Sequence, residues 1–165
     1  MQASCFEDAD WIFEMANARP KYTGLRFNIW IPENENNPKH SYRRIKVELE
    51  PKQFYPFLID ELRFSVSVDI KASDFNELKE FVATNKPLIL ASMYDYLESR
   101  DVHDCFAKVG HELSYKFLEL VFMKLYGLTS QVNGRMWTVT HTKAELAQQA
   151  LNKLEISNDV SLVPI

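Results

Sequence analysis

Residues 62–70 read LRFSVSVDI: Leu62, Phe64, Val66, Val68 and Ile70 occupy alternate positions, with Arg63, Ser65, Ser67 and Asp69 between them. Successive side chains of a β-strand point to opposite faces, so this period of two predicts a strand with one apolar and one polar side. The period recurs twice upstream. Leu25, Phe27, Ile29 and Ile31 alternate with Arg26, Asn28 and Trp30. Over residues 41–49, Arg43, Ile45, Val47 and Leu49 alternate with Tyr42, Arg44, Lys46 and Glu48. Pro32 and the polar run ENENNPK (33–39) separate these two stretches. Three neighbouring alternating strands predict an antiparallel meander with one buried face and one open face.

Helical spacing flanks the meander. Ser4 and Glu7 form a capping-box pattern, Trp11 and Met15 share a helical face, and Pro20 predicts that this helix ends by about residue 18. Downstream, Asp74 to Glu77 is a second capping pattern ahead of Phe75, Leu78, Phe81 and Val82. Asn85 and Pro87 predict a break, then a further helix over 86–99. Residues 101–104 read as a turn. Phe106, Val109, Leu113, Phe117, Leu120 and Val121 predict a long helix over 105–126. Asn133-Gly134 is a hairpin signal ahead of a strand over 135–141. A helix opening at Thr142 follows, with Leu146, Ala150, Leu151 and Leu154 on its apolar side. The expected class is therefore α+β: a three-stranded antiparallel meander, a helical segment, a further strand or hairpin and a C-terminal helix. One domain over 1–157 and a loose tail over 158–165 complete the expectation.

The 165 residues can bury a core without disulfides or metals. Cys5 and Cys105, a hundred positions apart, form no framework and read as reduced thiols; together with an acidic N-terminus unlike a secretory signal, they predict a cytoplasmic protein. No apolar run is long enough to span a membrane. Net charge is −4, but it is unevenly spread. Residues 19–52 hold eight basic and four acidic side chains, +4, leaving −8 for the rest. Such a split marks a binding face, although a solvated sheet edge produces the same pattern.

Catalytic patterns are sparse. All four glycines are isolated, so no phosphate-binding loop is present. Asp101, His103, Asp104 and Cys105, with His111 nearby, are ligand types that zinc accepts, but Asp beside a helix start is ordinarily a cap. Cys105 beside His103 is the one local thiol–imidazole pair, and it reads as packing. His40 with Arg43, Arg44 and Lys46 could serve a metal-independent nuclease, the imidazole as base and the cations on the phosphate. No cofactor or metal is expected. The stronger signal is the polar side of the meander: Arg26 and Trp30, then Tyr42, Arg44 and Lys46, then Arg63. Aromatics flanked by cations on an open sheet stack RNA bases, and the same chemistry anchors protein partners. A helix laid over this face would instead make Trp30 and Tyr42 core residues.

The run Tyr22 to Ile31, a polar loop with His40, and Arg44-Ile45-Lys46-Val47 resemble a pattern in small bacterial and prophage proteins of unknown function: strand, His-containing loop, strand, strand, helix. Residues 81–89, FVATNKPLI, resemble its helix. The resemblance spans residues 21–97 and carries one His where better-marked members pair two. It implies a small inhibitor or regulator of phage or mobile-element origin. The expectation is thus a non-enzymatic binding protein using the basic aromatic sheet face, with a protein partner first and RNA second, and no membrane. A small nuclease or toxin-like ribonuclease, and a homodimeric assembly subunit, are the alternatives.

Overall fold

The computed structural model describes residues 15–32, 43–126 and 135–165. The fold is α+β. Its larger sheet is an antiparallel meander of five strands in chain order: β1 (Met15–Ala18), β2 (Asn28–Pro32), β3 (Arg44–Glu50), β4 (Gln53–Leu58) and β5 (Arg63–Phe64). Ile29 lies opposite Val47, Ile45 opposite Phe57 and Phe57 opposite Phe64. Ile29, Ile31, Ile45, Val47 and Phe57 share one face and are fully buried. Helix α2 (Ala72–Met93) lies against β2 on the core side.

Two strands of the larger sheet stand where the sequence predicts otherwise. Residues 15–18, expected to end a helix, form β1 and pair along their whole length with β2, from Met15 opposite Pro32 to Ala18 opposite Ile29. The ladder and the full burial of Ala18 outweigh alanine's local helix preference. The rest of that expected helix lies outside the described residues. The strand beside β3 is not 62–70 but β4, whose sequence QFYPFL has no clean alternation and contains Pro56, a residue that argues against an interior strand. Its missing N–H falls on the side of the two-residue β5 and not on the β3 ladder: the Pro56 carbonyl, which faces the same way as its nitrogen, accepts the Ser65 N–H at 3.1 Å. The 62–70 stretch pairs only at Arg63 and Phe64, yet its alternation survives in exposure: the five apolar residues are half-buried and the four polar ones exposed.

The expected break at Asn85 and Pro87 does not occur, and α2 runs through both. An interior proline costs about 3 kcal/mol. Leu78, Phe81, Val82, Leu88, Ile89, Leu90 and Met93, all essentially buried, each contribute about 1.5–3 kcal/mol and carry the helix across it. The expected turn at 101–104 is largely a short helix, α3 (Ser99–His103). The long helix expected over 105–126 shrinks to α4 (Phe117–Tyr126), since residues 105–116 are irregular and Gly110 has φ 86°. Three tertiary bonds hold that segment elsewhere: two between the Asn85 amide and the backbone of Ala107, and one from the Val109 N–H to the Thr23 carbonyl at 3.1 Å.

The hairpin signal at Asn133-Gly134 lies outside the described residues. The strand after it is β6 (Met136–Val139), followed by α5 (His141–Lys153), with Thr140 rather than a later threonine at the N-cap. The tail expected to be loose contains β7 (Ser161–Pro164), which pairs in parallel with β6, Trp137 opposite Leu162. Bonds from Ser161 N–H to the Arg135 carbonyl and from Ile165 N–H to the Val139 carbonyl, both 2.8 Å, hold it in place.

Candidate functional site

Strand register assigns four of the predicted binding residues, Trp30, Arg44, Lys46 and Arg63, to one face. Trp30 lies opposite Lys46 and Lys46 opposite Pro56; Asn28 lies opposite Glu48 and Glu48 opposite Phe54; Arg44 lies opposite Leu58. This is the polar side of the predicted meander, and it is not open. Lys46 has 0% of its surface exposed, Phe54 1% and Leu58 4%. Lys46 therefore cannot reach a partner, a correction to its expected exposure. Period two separates two faces but says nothing about which face is covered. Trp30 and Arg44 are half-buried. The Trp30 ring meets Phe54 edge-on at 5.9 Å. Its Nε1–H donates to Glu48 Oε1 at 3.0 Å, where the Asn28 amide also donates, and the Lys52 backbone N–H donates to Oε2. The Trp30–Glu48 group is thus a saturated network within the sheet. Tyr42 and His40 lie outside the described residues.

The nuclease set does not converge among its described members. Alternation sends Arg44 and Lys46 to one face and Arg43 to the other. Arg43 donates to the Asp60 carboxylate and, at 3.2 Å, to the Tyr94 hydroxyl; it also pairs with Glu155 at 2.7 Å. Lys86 joins the same two acids, 2.9 Å from Asp60 and 3.1 Å from Glu155. The hydrogen bond from Arg43 holds Asp60 down at about 2. Burial would raise Glu155 and lower Lys86. The mutual hydrogen bonds outweigh it, so Glu155 is lowered and Lys86 and Arg43 are raised. Two cations and two anions close on one another, which suits a clamp between β3, the β4–β5 turn, α2 and the end of α5. Arg63, exposed at the β5 edge, is three strands from Trp30, too far to share one small ligand with it.

Four exposed cations gather at one end of the sheet. The first helical turn, α1 (Pro20–Thr23), begins on a proline and ends on Gly24 at φ 78°, an arrangement those two residues favour. It is flanked by Arg19 and Arg26. Arg19, Lys21, Arg26 and, on the β3–β4 turn, Lys52 are all exposed. Pro20, Arg26, Asn28, Glu48, Glu50 and Pro51 line a shallow cleft of about 190 Å³ between these turns, one cation beside two acids. Arg26, 70% exposed, stands 3.7 Å from Asp74. Tyr22, half-buried, stacks on the His103 imidazole with ring centres 5.3 Å apart, and the Lys21 ammonium lies 4.9 Å from the Tyr22 ring centre. Lys108 stands beside Gly24, on the segment whose Val109 N–H bonds to Thr23. The sequence signal for this group is the run RPKYTGLR at 19–26, three cations and no acid around one aromatic; its meeting with His103 and Lys108 is tertiary.

Burial pushes the Cys105 thiol up to about 11, with Asp101 and Asp104 adding to it, so it is a poor nucleophile. Among the described residues, no three His, Cys, Asp or Glu side chains stand together as metal ligands, and no helix is long and apolar enough to cross a membrane. Comparison of the chain with protein-family models, with curated proteins and with solved structures finds no match in any of the three.

Proposed function

We propose that the chain is a non-enzymatic binding protein, a small regulator or inhibitor, that holds an anionic protein or RNA partner at the basic end of its sheet. One observation carries this reading. Of the described basic residues in 19–52, Lys46 is buried, Arg43 is held in the ion cluster and Arg44 is half-buried, whereas Arg19, Lys21, Arg26 and Lys52 face solvent around α1 and the β3–β4 turn. Cations left at a surface, in a chain that is otherwise acidic, focus attraction on one patch.

The test is a fluorescence-anisotropy titration against two labelled polyanions, single-stranded RNA and an acidic peptide, at low and high salt. Binding of at least one is expected, weakening steeply with salt. Joint reversal of Arg19, Lys21 and Arg26 to Glu is expected to abolish it, while Lys116→Glu leaves it intact. Absence of binding to both polyanions at low salt would overturn the reading.

A further inference from the structure

We infer that the ligand of the basic end is single-stranded RNA, with one base stacked on Tyr22 and its backbone held by Arg19, Lys21 and Lys108; this rests on the binding reading above. Three features lead there. Tyr22 is backed by His103 at 5.3 Å with the rings 27° from parallel, so the phenol ring is supported rather than free to swing. The residue is half-buried, so it is in contact with solvent as well as with His103. The cations are supplied from two chain segments on either side of the Gly24 turn, Arg19 and Lys21 from one and Lys108 from the other, joined by the Val109 N–H bond to Thr23. Residues 19–26 and 103–111 together hold four Lys or Arg and one acid, Asp104, a balance of +3 before either histidine protonates.

The Lys21 ammonium over the ring is the competitor a base must displace. An exposed cation–π contact is worth a factor of about two to five, whereas a base on an aromatic ring is worth a factor of about five to a hundred. The base therefore takes the ring and releases Lys21 to a phosphate. A purely acidic peptide gains the same charge attraction but has nothing to place on the ring, so the supported aromatic favours RNA over a protein partner.

The experiment titrates labelled oligo-uridine, about ten nucleotides long to suit one small platform, into the wild-type chain and into Tyr22→Leu, Tyr22→Trp and Lys108→Glu, with the acidic peptide in parallel. Tyr22→Leu and Lys108→Glu are each expected to lose about tenfold in RNA affinity. Tyr22→Trp is expected to retain it and to show indole quenching beyond that of the wild type's own three tryptophans as RNA is added. It guards against the Leu variant losing affinity by misfolding. Unchanged RNA affinity in Tyr22→Leu, or no added quenching in Tyr22→Trp, would overturn the stacking site. So would binding of the acidic peptide without RNA, although the anionic-partner reading would then stand. No binding of either would remove both.

Discussion

Asn85 uses both ends of its amide. Its Nδ2 donates to the Phe81 carbonyl at 3.0 Å and to the Ala107 carbonyl at 2.8 Å, and its Oδ1 accepts the Ala107 N–H at 2.8 Å. The side chain is fully buried, so truncation leaves both backbone groups of Ala107 without partners in a place water does not reach. Each such group costs about 1–3 kcal/mol, and Asn85→Ala is expected to destabilise the fold by about 2–4 kcal/mol, read as a lower urea midpoint with little change in slope. In sequence this residue looked like a helix break, because Asn and Pro two positions apart are local stop signals. Its real function is to clamp a segment 22 positions away, which no local pattern contains. Lys46 makes the same point from the other direction. Its alternation with Ile45 and Val47 placed it correctly on the face opposite the core residues, and only its burial together with that of Phe54 and Leu58 on the same side reveals that this face is covered at its centre.

Among the elements, α2 carries a cost that can be removed. Pro87 denies the Ala83 carbonyl its helical donor and is only half-buried, so little packing depends on its ring. Pro87→Ala is expected to stabilise the protein by about 1–2 kcal/mol, after allowing about 0.4–1 kcal/mol for the looser unfolded chain. Calorimetry would register this as a Tm higher by about 2–8 °C for a chain of this size. An unchanged or lower Tm would mean that the helix is already shaped around the proline. Element type was legible where side-chain burial repeats along the element: β2, α5 and the first half of α2, with Leu78, Phe81, Val82 and Asn85 buried, follow their periods. It was illegible where a partner supplies the reason. β1 exists because β2 offers it a ladder, β7 because β6 does, and residues 105–116 leave the helix their spacing suggests because Asn85 and Thr23 bind them.

Over the whole molecule, the Arg43, Lys86, Asp60 and Glu155 cluster ties the sheet to α2 and to the end of α5. Asp60 falls from its ordinary 3.8 to about 2, and Glu155 lies below its own ordinary value. Both are more acidic folded than unfolded, so their contribution is present above the ordinary carboxylate range and is lost as pH falls from there towards 2. Both are more than a third exposed, which solvent screening discounts, and Arg43→Ala is expected to cost only about 1 kcal/mol at pH 7. Urea titrations of wild type and variant should converge as the pH approaches 2; a constant gap at every pH would mean that Arg43 acts through packing rather than charge. The α+β class and the meander could be read in advance because they rest on neighbouring segments. The candidate site could be read only in part: its cations stand in one run of sequence, whereas His103 and Lys108 join it through tertiary contact. The meander's order bears on kinetics as well. Every ladder of the larger sheet joins strands adjacent in the chain, so its nucleus assembles by closing small loops. The Arg43–Glu155 bridge joins residues 112 positions apart, and so belongs on the native side of the folding barrier, governing how slowly the protein comes apart rather than how fast it forms.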